Sequence, residues 1–103
     1  MSMRIVLTPA FAEKAERLLG DEDWPLIETL AAHPERGKLI PHGGGLRKIR
    51  VALPGRGKRG GGRVIYYWRR GELLFLLDLY AKNERTNLSA AELKGFRRQI
   101  EGL

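Results

Sequence analysis

The chain has 103 residues, 43% apolar and 8% aromatic, which is enough for one modest hydrophobic core and one domain over 1–103. It has no cysteine, which excludes disulfides, thiolate nucleophiles and cysteine-based metal sites. Its longest strongly apolar run, Leu73 to Leu77, is far short of the roughly 20 residues that span a bilayer. With no basic-then-apolar leader pattern either, the expectation is a soluble cytoplasmic protein without membrane association.

The net charge of +7 is unevenly placed. Residues 1–35 hold three Lys/Arg against seven Asp/Glu, and residues 72–103 hold five of each. Between Arg36 and Arg70 there are eleven Lys/Arg and no acid. A solvated face normally mixes signs, because like charges without counter-charges repel. An acid-free basic block therefore points to a polyanionic partner, with RNA or DNA the commonest.

In chain order, Arg4 to Leu7 predicts a short strand, and Thr8-Pro9 then supplies an N-cap with proline at the first helical position. Phe11, Ala15, Leu18 and Leu19 share one helical face, and Gly20 ends that helix. A second helix starts near Asp21 or Asp23, tolerates Pro25 in its first turn, and stops before Pro34. Trp24, Ile27, Leu30 and Ala31 form its expected apolar stripe. The two make a helical hairpin, acidic outside and apolar inside, that supports a sheet.

A Gly/Pro-rich loop over Pro34 to Gly45 precedes a switch to period-two alternation at Leu46 to Val51, a half-buried strand. Arg63 to Trp68 is a second strand, rich in β-branched and aromatic residues, and Arg70-Gly71 turns the chain into the apolar run Leu73 to Tyr80. That run should be central. Ser89 and Glu92 have the spacing of a capping box, and Leu93, Phe96, Ile100 and Leu103 continue as an amphipathic helix to the end. The expected architecture is α+β: strand, helical hairpin, three-stranded antiparallel sheet, C-terminal helix, with helices on one sheet face and the other face free.

Gly55-Arg56-Gly57-Lys58-Arg59-Gly60 matches the dinucleotide fingerprint in letters only, since that mechanism needs a following helix and here a strand follows. A Walker loop fails too, lacking its first Gly and its Ser or Thr. A hairpin loop carrying Arg56, Lys58 and Arg59 toward a phosphate backbone fits better. His33, before a proline, and His42, in a Gly-rich loop, are isolated and have no acidic partners that would make a metal site or a triad.

What remains is a cation set: Lys48 and Arg50 on one strand, Lys58 and Arg59 in the loop, Arg63 on the next strand and Lys82 at the end of the last. Lys48 and Arg50 are two apart and share a face, beside which a neighbouring strand can bring Arg63. Crowded cations disfavour each other's protonation, so a lysine there can serve as a base while arginines stabilise a phosphorane-like transition state. RNA supplies its own 2′-OH nucleophile, so cleavage needs neither metal nor cofactor. Phosphate binding alone is the simpler reading of the same residues. Tyr66, Tyr67, Trp68 and Tyr80 interleave with the cations and are mostly packing elements, with one or two available to stack on a base.

Three stretches together resemble the RelE/HigB-type toxins of bacterial toxin–antitoxin pairs, and most nearly the HigB-type subgroup. They are Ile40-Pro41 with Gly44 to Arg50, Gly55 to Lys58 with Gly61 to Tyr67, and Tyr80-Ala81-Lys82-Asn83-Glu84. The resemblance implies a metal-independent endoribonuclease that enters the ribosomal A site, cuts translated mRNA and inhibits translation. It also implies a cognate helix-turn-helix antitoxin, through which alone operator DNA is bound.

On this resemblance Arg63 matches the strand arginine that contacts the scissile phosphate, and Lys82 the basic position ending the last strand. Lys48 and Arg50 match the basic strand pair, though some relatives have lysine at the latter. Where the family's eponymous toxin carries a tyrosine near the C-terminal helix, this chain has none after Tyr80, so a lysine base, Lys82 or Lys58, takes its place. The expected catalytic set is Arg63, Lys82, Arg50 and Lys58, with Lys48, Arg47, Arg56, Arg59 and Tyr67 binding RNA. A gyrase poison of the related ParE type on the same scaffold, and a non-catalytic RNA-binding module, are the rival expectations.

Overall fold

A computed structural model describes residues 3–55, 61–85 and 87–103. Its elements run β1 (Arg4–Leu7), α1 (Pro9–Leu19), α2 (Asp23–Ala32), β2 (Lys38–Leu39), β3 (Leu46–Val51), β4 (Gly62–Arg69), β5 (Leu73–Ala81) and α3 (Ala90–Glu101). The fold is α+β, and its sheet has five strands, in the order β1-β5-β4-β3-β2. β1 runs parallel to β5, and the other neighbours are antiparallel.

Local chemistry sets the boundaries. Thr8 Oγ1 accepts from Phe11 N–H at 3.0 Å and donates to Leu77 C=O at 3.0 Å, so one hydroxyl both caps α1 and ties it to β5. Gly20, at φ 55°, ends α1 with a left-handed residue, and a short 3-10 turn over Gly20–Glu22 leads into α2. The capping box at Ser89 and Glu92 is present as the spacing predicts.

The sheet is covered on both faces, a correction to the expectation of a free face. On one side Phe11, Ala15, Leu19, Ile27 and Leu30 of α1 and α2 pack on inward residues of β3, β4 and β5. On the other, Leu93, Phe96 and Ile100 of α3 pack on Leu46, Ile65, Phe75 and Leu77. β5, the most apolar run, is buried along its whole length because both layers need it. Trp24 departs from its expected place in the core: it is 53% exposed, while Ile27 and Leu30 are buried and Ala31 packs partly buried against the same cluster.

One irregularity sets the phase of β5. Ile65 pairs with Asp78 but Tyr66 pairs with Leu76, so β5 carries one extra residue, a β-bulge. Before it, Leu74 and Leu76 face the helical hairpin; after it, Leu79 and Ala81 do, and Tyr80 joins the α3 side. Asp78, beyond the end of β1, is turned into the gap between α1 and α3. There it is 3% exposed and bound at 2.5 Å by both Lys14 Nζ and Arg85 Nη2, and it accepts from Leu79 N–H at 2.9 Å. Arg85 also pairs with Glu92, so β5, α1 and α3 meet on one charge network.

Candidate functional site

β3 alternates as its sequence implies. Leu46 is buried under α3 while Ile49 and Val51 face the helical hairpin, which places Lys48 and Arg50 on the α3 side of the sheet. Arg63 shares that side with Ile65 and stands directly opposite Arg50 in the β3–β4 pair. α3 does not reach this corner. The result is a concavity of about 550 Å³ lined by Arg36, Lys38, Lys48, Ile49, Arg50 and Arg63.

Five of its six lining residues are cations, and none of the five is within 4.0 Å of a carboxylate among the described residues. Like charges directly opposite on a sheet destabilise it, as do clustered cations in general. Lys38 opposite Lys48 and Arg50 opposite Arg63 are two such pairs side by side. Asp78 draws Lys14 and Arg85 onto one carboxylate, whereas these five cations gather around none. Such a corner suits a ligand with several negative charges.

Arg36 and Lys38 are the members that the sequence reading left in a loop. They are placed by Tyr66, a fully buried β4 residue whose hydroxyl donates to Pro34 C=O at 2.7 Å and accepts from Gly37 N–H at 2.8 Å. A Cβ at residue 37 would run into the Tyr66 ring, so only glycine lets the segment lie this close. Burial pushes the Tyr66 phenol above its ordinary value, partly offset by the Gly37 N–H and by nearby Arg47. The available signal was the basic block itself, which begins at Arg36.

The remaining expected site residues are dispersed. Arg47 points to the helical hairpin side, where its guanidinium donates to Gly37 C=O at 2.7 Å and Glu35 C=O at 3.1 Å and lies 5.6 Å from the Trp68 ring centroid. It holds the 35–37 segment and stands apart from the cation cluster. Tyr67 is half-buried against the α3-side core, with Arg69 5.9 Å from its ring centroid. Lys82 is exposed just past β5, and its N–H bonds Gly61 C=O at 3.0 Å, two residues ahead of Arg63. Arg56, Lys58 and Arg59 lie outside the described residues. His33 and His42 are both exposed, and His42 C=O accepts from Arg97 of α3 at 3.0 Å. Among the described residues no group of three or more His, Cys, Asp or Glu could hold a metal ion, and no helix is long and apolar enough to cross a membrane.

The arrangement can bind a polyphosphate chain and concentrate positive charge on one phosphate, with arginines from two strands approaching from the same side. Compared with known protein families, residues 3–102 match the model described as the RelE toxin of the RelE/RelB toxin–antitoxin system. That match covers both helical layers and all five strands, and it agrees with the resemblance carried by the three basic and glycine-rich stretches. The chain belongs to the RelE toxin family.

Proposed function

We propose that this toxin is a metal-independent endoribonuclease that cleaves mRNA engaged on the ribosome, and that a cognate helix-turn-helix antitoxin neutralises it and carries the pair to operator DNA. The observation that carries this reading is the acid-free corner walled by Arg36, Lys38, Lys48, Arg50 and Arg63. A single-stranded RNA backbone laid across it meets one cation or more per phosphate.

In the proposed step the 2′-oxygen attacks the adjacent phosphorus as the P–O5′ bond breaks, leaving a 2′,3′-cyclic phosphate and a 5′-hydroxyl. One proton leaves the 2′-OH and one reaches the departing 5′-oxygen. Arg63 and Arg50 hold the non-bridging oxygens, whose charge grows in the transition state. Lys48, Lys38 and Arg36 bind the flanking phosphates. Lys82, whose backbone is tied to Gly61 at the head of β4, assists proton transfer, with Lys58 the other candidate.

Induction of the toxin in cells, followed by mapping of mRNA 5′-ends, tests the reading. Cuts confined to translated regions are expected. Arg63→Ala should lower cleavage by roughly 100-fold, and Lys82→Ala should lower it as well, with both proteins still folded. DNA-damage signalling without new mRNA ends would instead establish a gyrase poison. Steeply salt-dependent RNA binding without toxicity would establish a plain binding module, and undiminished toxicity in both variants would dismiss these residue assignments.

A further inference from the structure

Tyr80 is 2% exposed, and its hydroxyl is buried without a hydrogen-bond partner among the described residues. A phenylalanine would fill the same space without an unpaired polar atom, so the phenol is not explained by packing. The other fully buried tyrosine, Tyr66, shows how this fold treats a structural hydroxyl: both its donor and its acceptor capacity are used.

The bulge in β5 puts Tyr80 on the α3 side, directly opposite Arg63 in the β4–β5 pair, while Arg63 is directly opposite Arg50. Arg50, Arg63 and Tyr80 thus form one cross-strand row running from the cationic corner into the core. Directly opposed side chains stand about 5 Å apart at their Cβ atoms, within reach of a phenol and a guanidinium. The Arg85 guanidinium lies 4.4 Å from the Tyr80 ring centroid, itself held by Asp78 and Glu92. The ring therefore has a fixed backing. Burial raises the Tyr80 phenol above its ordinary value, with Arg85 and Arg63 opposing that shift, so it stays protonated and able both to donate and to accept.

Arg63 in this state donates through Nη1 to the carbonyl of its own neighbour, Gly62, at 3.0 Å. That contact uses one of the five guanidinium N–H groups and leaves the others free to turn toward a phosphate in the corner. We propose that Tyr80 is the positioning residue for Arg63: its unpaired hydroxyl accepts a hydrogen bond from the Arg63 guanidinium when that group swings out to hold the scissile phosphate. Tyr80 itself touches no substrate. Its rigid backing by Arg85 is transmitted to Arg63 as a fixed orientation, which is what in-line phosphoryl chemistry demands.

This rests on the nuclease reading, and the test separates the two. Single-turnover cleavage of ribosome-bound mRNA is measured for wild type, Tyr80→Phe, Arg63→Ala and the double variant, alongside RNA affinity and Tm. Tyr80→Phe is expected to lower the cleavage rate constant roughly 10- to 100-fold, the range for misplacing a reacting group. RNA affinity and Tm should not fall, and adding Tyr80→Phe to Arg63→Ala should cost nothing further. Wild-type rates in Tyr80→Phe, or a full additional loss in the double variant, would overturn the inference while leaving the nuclease standing. A wild-type protein that cuts no mRNA would overturn both.

Discussion

Removing one oxygen atom at residue 66 tests how the site is built. In Tyr66→Phe the ring still fills its fully buried place, but Pro34 C=O loses its donor at 2.7 Å and Gly37 N–H its acceptor at 2.8 Å. An intramolecular hydrogen bond contributes about 0.5–1.5 kcal/mol net, and leaving a buried partner unpaired costs about 1–3 kcal/mol. The segment 34–37 lies near the surface and part of that loss is recovered by water, which gives a net cost of about 2 kcal/mol. For a domain of this size that is a fall in Tm of roughly 8–16 °C. Because the same bonds place Arg36 and Lys38, RNA affinity should fall too, although residue 66 lines no part of the corner. Tyr80→Phe is the matched control: the same atom is removed where it has no hydrogen-bond partner among the described residues, and Tm should hold or rise. Thermal unfolding by circular dichroism and RNA binding by fluorescence anisotropy read both effects. A Tyr66→Phe protein within 3 °C of wild type, or one that binds RNA normally, would refute the reasoning; that threshold is about half the shift expected per kcal/mol.

Three further outcomes follow from other parts of the molecule. RNA affinity should fall with salt at a slope of about −0.7 per phosphate neutralised, and Lys48→Ala or Arg50→Ala should each make it shallower by about that amount; unchanged slopes would place the RNA elsewhere. Asp78→Asn removes the charge that Lys14 and Arg85 share. After discounting for their partial exposure, 32% and 24%, it should cost about 2–3 kcal/mol in urea unfolding, and a loss under 0.5 kcal/mol would dismiss the network as a fastener. Tyr66 and Tyr80 both hold their protons more tightly when folded than at the ordinary value of 10.0. Their contribution to stability is thus complete below about pH 10 and lost as pH climbs through the raised folded values. Tyr66→Phe should flatten the alkaline limb of a stability–pH curve.

Much of this was legible from local pattern. The bounds of β3, Leu46–Val51, coincide with the run read as a half-buried strand, and the caps at Thr8 and Ser89 are where hydroxyl and proline or glutamate spacing put them. The parity of β3 also separates Arg47, on the helical hairpin side, from Lys48 and Arg50. β5 carried an unread message as well: nine consecutive buried residues have no polar face to offer solvent, which means cover on both sides and hence α3 across from the hairpin. Other features had no local signature. β2 is two residues long within a Gly/Pro-rich loop, and the segment before it is held by Arg47 and Tyr66, both distant in sequence. The bulge that brings Tyr80 beside Arg63 depends on which residue faces Ile65, a fact of strand register that composition does not encode.

The parallel pairing of the first strand with the last has a kinetic consequence. Arg4 meets Leu73, and the Thr8 hydroxyl that caps α1 reaches a carbonyl 69 residues further along. Neither contact can form until β5 has been synthesised, and contacts between sequence-distant segments are the slow, cooperative ones in folding. Until β5 emerges, Phe11, Ala15 and Leu19 lack the Leu74, Leu76, Leu79 and Ala81 part of the core they bury against. A fragment ending before Leu73 therefore keeps the whole basic block but lacks the central strand that both helical layers pack on. Assembly of the cationic corner therefore waits for β5.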